Sequence, residues 1–422
     1  MLFFDFLYII VLILTLPFWG AKVFLKKEYR QMISHRFRPD ISPSAQKRLW
    51  IHAVSVGEVR SLRQLVEKLK NLHALKNMEI VLSVTTPTGY RCAKQEFPDI
   101  IVIPAPVDFS FTIRHFIKNI NPCMLVLNEL ELWPNWVSIL HRKKIPIILI
   151  NGRMSTVAFA RYRYGLFFMK HIFSKLHRYL VQAKLYKERF IALGIAPEKI
   201  MVCGNIKADE AFISQTNLPP EQEILDVLHI KTSGRPIVTI ASSHAIDEQF
   251  LAPIIKHMSA AFFFIIVPRH LERVSAIEKL LAEHQVEFST WSKIPADTQT
   301  SRTLIFDRMG YLFPVLKVTD IVFMGGTLDP KTGGHNLYEP AVLGKAILGG
   351  PHYNNFPDIG DELVQKGVYH IIHNQETCFL WLNQWLKGEI NRATITTNAI
   401  HAVSCRRGSL ECILKEIQLL IG

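Results

Sequence analysis

The chain has 422 residues, 49% hydrophobic and 20% charged, which excludes a disordered polar polymer and is long for one core, so two domains are expected. Its formal net charge of +13 implies an anionic partner without choosing among nucleic acid, anionic lipid, phosphorylated substrate and nucleotide. Six cysteines, at 92, 123, 203, 378, 405 and 412, show no CxxC pair and no zinc-ligand spacing, so they read as free thiols of a reducing compartment.

Leu2 to Gly20 is almost wholly apolar, interrupted by Asp5 and Pro17 and followed by Lys22, Lys26, Lys27 and Arg30. Met1 to Asp5 lacks the basic region that a cleaved signal peptide needs. The length is borderline for a span, so a transmembrane anchor and an oblique interfacial helix both stay open, with a buried first helix as the bland alternative. The basic flank from Lys22 to Lys47 suits anionic headgroups of the inner membrane. Residues 1–30 are therefore expected to anchor a cytoplasmic catalytic body.

From Leu49 onward, short β-rich runs alternate with amphipathic segments. The expected strands are Leu49–Val54, Ile80–Val84, Ile100–Ile103, Met124–Leu127, Ile145–Ile150, Tyr179–Val181 and Ile200–Val202, with helical patterns such as Val59–Lys70 and Lys184–Leu193 between them. A polar, Pro-rich interval, Asn217 to Arg235, interrupts the rhythm. It resumes with Ile237–Ile240, Phe262–Val267, Thr303–Phe306, Ile321–Met324, Ala346–Leu348 and Tyr369–Ile372. This is the α/β pattern of two Rossmann-like doubly wound domains, 31–216 and 217–422, expected to face each other across a central cleft with ligands at the carboxyl ends of the strands.

The residues able to carry chemistry follow those strands. Glu58, in Ser55-Val56-Gly57-Glu58, could act as a general base on an acceptor hydroxyl, or simply stabilise a helix N-terminus. Glu129 and Glu131, in the segment Glu129 to Asn135, place two more carboxylates on the same face. Arg153, after Asn151-Gly152, and Lys207, in Gly204-Asn205-Ile206-Lys207, are cations that could offset a sugar acid or a leaving phosphate. The run Arg161-Tyr162-Arg163-Tyr164 suits a phosphorylated lipid as well as it suits a solvated helix. In the second half, Pro268 stops a hydrophobic strand and presents Arg269 to phosphate. Ser242 and Ser243 could face the same phosphate, and Asp307 to Gly310 could border a base pocket.

The stretch Gly325 to Pro340 joins a buried strand to a helix start. Its glycines at 325, 326, 333 and 334 let a ligand approach the backbone, and His335, Asn336 and Glu339 arrive together, with Glu339 placed to accept ribose hydroxyls. It reads as a nucleotide-sugar clamp. No DxD pair is present, which points to a metal-independent transferase and leaves charge neutralisation to Arg269, Lys207 and helix dipoles.

In their order along the chain, the apolar N-terminus, Ser55 to Glu58, Glu129 to Asn135, Gly204 to Lys207, Val267 to His270 and Gly333 to Asn336 resemble the 3-deoxy-D-manno-octulosonic acid (Kdo) transferases of lipopolysaccharide assembly. The resemblance implies an inverting GT-B glycosyltransferase that moves Kdo from CMP-Kdo onto a lipid A precursor, lipid IVA, at the inner leaflet. It assigns Glu58 as the base and Glu129 and Lys207 to transition-state stabilisation. It assigns Pro268, Arg269, Met309, Gly310, Tyr311, Asn336, Leu337, Tyr338 and Glu339 to CMP, with Gly57, Glu131 and Arg153 as acceptor or cleft candidates and no metal or other cofactor. Leu130, Tyr311 and Gly152 depart from the usual pattern. Gly152 and the run from Gly325 to Lys331 are more similar to chlamydial members, which can add several Kdo units.

Competing expectations are another GT-B enzyme using a UDP-sugar on a lipid or peptidoglycan intermediate, a dinucleotide oxidoreductase, and a charge-driven nucleic-acid or membrane module. The oxidoreductase lacks a GxGxxG after a first strand, and the module leaves Glu58 and Glu129 without a task.

Overall fold

The structure, a computed structural model, describes residues 2–25, 27–72, 78–228, 230–294 and 301–421, with the side chains of 2, 3, 16–31 and 166–168 not described. The chain forms two compact units, Met1–Glu210 together with Arg407–Gly422, and Ala211–Arg406. In the first unit seven strands, β1 (Arg48–Ala53), β2 (Glu79–Val84), β3 (Ile101–Pro104), β4 (Pro122–Asn128), β5 (Ile147–Gly152), β6 (Arg178–Val181) and β7 (Ile200–Val202), lie in the order β3-β2-β1-β4-β5-β6-β7. All neighbours are parallel. Every residue of β1 and β5 is buried, as expected where helices cover both faces of a parallel sheet. The core is built on large side chains, with Trp50 and Trp136 5.0 Å apart and Phe190 packed against Tyr179.

The second unit repeats the plan with β8 (Ile237–Ser243), β9 (Phe263–Pro268), β10 (Ser289–Thr290), β11 (Thr303–Ile305), β12 (Ile321–Met324), β13 (Ala346–Gly349) and β14 (Tyr369–Ile371), in the order β10-β11-β9-β8-β12-β13-β14. Apart from β10, each strand matches an apolar run expected from the sequence. β10 has two residues, too few to leave a hydrophobic pattern.

Local differences have local causes. The expected helix Val59–Lys70 is two helices, Val56–Ser61 and Arg63–Asn71, meeting at Leu62. The Ser61 hydroxyl donates to the Glu58 carbonyl at 2.8 Å, a back-bond that competes with the helical ladder. The interval 217–235 holds a helix, Glu221–Val227, whose Ile224 is buried in the second core. The run Arg161 to Tyr164 splits: Tyr162 packs edge-on to Phe173 in the first core, while Tyr164 is fully in solvent.

Three larger expectations change. The expected second domain, 217–422, gives up its last residues, because the helix Ser409–Ile421 packs on the first unit. Asp209 fixes that return, accepting the Gly408 and Leu410 N–H groups at 2.9 and 2.7 Å, and Glu416 pairs with Arg178. Cys203 and Cys412 are not free thiols but are joined as a disulfide, their Cα atoms 5.8 Å apart and 209 residues apart in sequence. Spacing rules for short motifs carry no information about a pair created by chain return. At the N-terminus, Leu2–Leu25 is one helix. Among the described residues no helix is long and apolar enough to cross a membrane, so the spanning form of the anchor finds no support. The flanking Lys22, Lys26, Lys27 and Arg30 lie outside the described side chains.

Because Asp209 is buried and satisfies two otherwise orphaned N–H groups, Asp209→Ala should cost about 1–3 kcal/mol. Hydrogen exchange across residues 408–420 measures it, and unchanged protection there would rule out this cap as the fastening.

Candidate active site

In each sheet the strand order reverses at one place, between β1 and β4 in the first unit and between β8 and β12 in the second. Helices leave the two central strands in opposite directions there, opening a crevice at their carboxyl ends. The singled-out segments emerge at these reversals. Ser55 to Glu58 follows β1 and Glu129 to Asn135 follows β4, while Ser242 and Ser243 end β8 with His244 directly after it, and Gly325 to Glu339 follow β12.

In the first unit Glu58 sits in the first turn of its helix, where Ser55 is the N-cap. Its carboxylate accepts the Val54 N–H at 2.9 Å and the Ser55 hydroxyl at 3.2 Å, so it does close its own helix end. Burial raises the Glu58 carboxyl to about 7, and the neighbouring charge of Glu129 adds to the rise against the pull of the Val54 and Ser55 donors. The expected capping and base readings thus meet in one side chain. Gly57 is exposed and a Cβ there would meet only ordinary contact, so the local backbone has no need of glycine and the surface beside Glu58 stays open.

Glu129 has φ +59°, a left-handed conformation that a glutamate adopts at a cost of about 1–3 kcal/mol. Its carboxylate pairs with Arg153 at 2.9 Å. Asn151, in β5, is also left-handed, with φ +53°. Glu131 joins the cluster electrostatically, its carboxyl raised mainly by burial. Glu58, Glu129, Glu131 and Arg153 are therefore brought together. Lys207 is connected to them through the backbone: its N–H donates to Asn205 Oδ1, Asn205 Nδ2 to Gln182 Oε1, and Gln182 Nε2 to the Asn151 carbonyl. Gln182 had no signal in the sequence, since a lone glutamine after β6 forms no motif.

In the second unit the Gly-rich loop is seated by close contact. A Cβ on Gly325 would lie 2.3 Å from the Ser242 carbonyl oxygen, and Gly326 has φ +72°. Asp247, which the motifs did not include, accepts the Gly326 and His244 N–H groups at 2.7 and 2.9 Å and so ties the two loops of the reversal together. His244 and His335 stack with centroids 5.1 Å apart and share a hydrogen bond between their Nε2 atoms at 2.8 Å. Burial and the positive Arg269 push His335 down to about 4. Pro268 is the buried end of β9, and the Arg269 N–H donates to the Ser243 carbonyl at 3.1 Å, which sets Arg269 beside the histidines.

Asn336 donates to Glu339 at 3.0 Å and accepts the Tyr338 N–H at 3.1 Å. Leu337 and Tyr338 have buried side chains, which leaves their main chain as the part able to meet a ligand. The helix after them, Tyr338–Val342, has five residues and adds little dipole. Met309 is half-exposed, Gly310 has φ +88°, and Tyr311 packs beside Phe306 and Trp291 with the Arg308 guanidinium 5.0 Å from its ring. Tyr311 thus braces the loop.

Residues 30–210 match the family model described as 3-Deoxy-D-manno-octulosonic-acid transferase (kdotransferase). The 3-deoxy-D-manno-octulosonic acid transferase of Haemophilus influenzae is 28% identical over 408 residues, 95% of this chain and 94% of that protein. The chain is thus similar to Kdo transferases along nearly its whole length. A bifunctional glycosyltransferase/methyltransferase of Fusobacterium nucleatum is 32% identical over 359 residues, which span 84% of this chain but 55% of that relative. Two solved structures share the fold at low identity: UDP-GlcNAc 2-epimerase from Neisseria meningitidis bound to UDP-GlcNAc (TM-score 0.63, 13% identity, 89% of this chain and 100% of that one), and a glycosyltransferase from Rickettsia africae (TM-score 0.59, 15%, 90% and 99%). The likeness to these two structures shows the fold: two parallel α/β units that are GT-B-like.

The seating of Gly325 against the Ser242 carbonyl is testable on its own. Gly325→Ala should lower the stability of the second unit by about 1–3 kcal/mol. The denaturant midpoint measures it, and an unchanged midpoint would show that the loop yields.

Proposed function

We propose that this chain is a Kdo transferase that moves Kdo from CMP-Kdo onto lipid IVA in lipopolysaccharide biosynthesis, in one inverting displacement without a metal ion. The observation that carries the reading is the pair of carboxylates flanking the β1/β4 reversal, with Glu58 buried enough to hold its proton until near neutral pH. Glu58 takes the proton from an acceptor hydroxyl. The hydroxyl oxygen bonds to the anomeric carbon of Kdo while the bond from that carbon to the CMP phosphate oxygen breaks, and the electron pair leaves with CMP. Arg269 offsets the charge of the departing nucleotide, and Lys207 is assigned to stabilising the charge of the transition state. The Glu129–Arg153 pair holds the acceptor side in place. Glu339 and Asn336 meet the ribose, and the neutral His244–His335 pair supplies an N–H without adding charge.

We propose further that the protein works on the cytoplasmic face of the inner membrane, held by the N-terminal helix lying in the interface.

Glu58→Gln should leave CMP affinity unchanged and lower turnover by at least about 100-fold. In the wild type kcat/KM should rise with pH and level off above about 7, because the base is active once deprotonated; a profile flat from pH 5 to 8 would remove Glu58 from the role. Stability carries the same signature with opposite sign. The folded-state carboxyl lies above its ordinary value, so its stabilising contribution is present in acid and is lost as pH rises toward 7. Glu58→Gln should accordingly melt higher than the wild type at pH 8 and like it at pH 4.

A mass-spectrometric assay with lipid IVA and freshly made CMP-Kdo reads the donor, the acceptor and the number of Kdo additions from one mass ladder. Inhibition by CMP and not by UDP is the expected result. Inhibition by UDP alone would replace CMP-Kdo with a UDP-sugar.

A further inference from the structure

Asn135 closes the segment that begins at Glu129, and the chemistry above gives it no task. Its side chain is wholly buried, and Nδ2 donates both to the Asp108 carbonyl at 2.6 Å and to Oδ1 of Asp5, on the N-terminal helix, at 2.9 Å. The same Asp5 oxygen accepts the Ser110 N–H at 2.8 Å. Asp108 is buried among these groups: Oδ2 accepts the Tyr8 hydroxyl at 2.7 Å and the Asn135 N–H at 3.0 Å, and Oδ1 accepts the Trp136 N–H at 2.9 Å. A carboxylate from another segment therefore caps the helix Pro134–Arg142, whose own N-cap residue, Trp133, makes no side-chain cap. Burial pushes the Asp108 carboxyl up to about 6 against the pull of these donors.

Phe4 packs against the first core, but the apolar side chains from Phe6 to Leu14, Tyr8 apart, are exposed. Phe6, Ile13 and Leu14 are 64%, 64% and 75% exposed, and exposure runs through Ile9 and Val11, so the helix is apolar on every side beyond its polar contacts. A helix of that kind needs an apolar surrounding. Phe111, 60% exposed, stacks on Phe109 and Phe37 and prolongs the surface, with Tyr8 edge-on to Phe109. The net charge of +13 suits an anionic lipid surface as the occupant.

We propose that Asp108 is a positioning residue that couples lipid engagement by the N-terminal helix to the placement of the segment Glu129 to Asn135. Asp5 and Tyr8 latch the helix onto Asp108 and Asn135, its apolar remainder enters an anionic bilayer, and the loop bearing Glu129 and Glu131 is held at its far end by the latched carboxylate. The proposal rests on the acceptor-side reading of this unit, but its first readout needs neither donor nor acceptor.

The experiment is hydrogen exchange on the full chain, with and without vesicles of phosphatidylethanolamine and phosphatidylglycerol. In the wild type, vesicles should slow exchange at the amides of Asn135 and Trp136. Tyr8→Phe, which removes one hydroxyl, should still bind vesicles but lose that slowing, and Asp108→Asn should speed exchange at both amides by about tenfold, the factor for one charge-assisted hydrogen bond. In turnover assays both variants should raise KM for the lipid acceptor and leave that for CMP-Kdo unchanged. If Asp108→Asn does not fold, Tyr8→Phe decides alone. Exchange in Tyr8→Phe identical to the wild type with and without vesicles would overturn the latch, and a wild-type protein that ignores vesicles would overturn the lipid partner. Failure of Kdo transfer with the exchange result intact would instead overturn the activity reading.

Discussion

The reversal of strand order in each sheet is the constraint from which the rest follows. A parallel sheet must cover both faces with helices, and where the winding changes direction the covering helices part, so backbone donors and strand-end side chains meet solvent there and nowhere else along the buried strands. Glu58 and Glu129 stand on either side of one reversal, and His244 and the Gly-rich loop on either side of the other. Each pair is far apart in sequence and adjacent only because β1 neighbours β4 and β8 neighbours β12.

Such a crevice is costly to furnish. Glu129, Asn151 and Ser242 all hold left-handed backbone without being glycine, and all three lie at the carboxyl ends of central strands. Strain placed there is sustained by the tight packing around it, as with Gly325 wedged against the Ser242 carbonyl. The electrostatics follow the same economy. Glu58 and Asp247 are both raised by burial and by neighbouring carboxylates, but Glu58 takes its donors from its own helix end, while Asp247 takes the N–H groups of two separate loops, at His244 and Gly326. A similar shift in two acids therefore marks a candidate base in one case and a structural clasp in the other, and only their partners distinguish them.

The similarity to Kdo transferases and the geometry of the two reversals fall on the same residues. The family match covers residues 30–210, the unit carrying Glu58, Glu129, Arg153 and Lys207, while the similarity to the Haemophilus influenzae relative runs through nearly the whole chain. The helix Ser409–Ile421 returns to that first unit under the hold of Asp209 and the Cys203–Cys412 bond. A boundary drawn along the chain cannot represent such a return.

By itself the sequence determined the elements and the chemistry they carry. Continuous apolar runs such as Ile147 to Ile150 can only be strands buried on both faces, and the acids, cations and glycines that break those runs mark the strand ends where a ligand can be met. It also carried the resemblance to Kdo transferases, through short motifs that follow one another in order along the chain. What the tertiary structure alone decided are the pairings across long separations: Glu129 with Arg153, Asp247 with Gly326, Gln182 between Asn151 and Asn205, Asp108 with Tyr8, Asn135 and Trp136, and Cys203 with Cys412. The physical reason is that periodicity and turn chemistry act over a few residues, whereas a hydrogen bond or disulfide between distant segments depends on how sheets order their strands and where a chain returns, which no local pattern encodes.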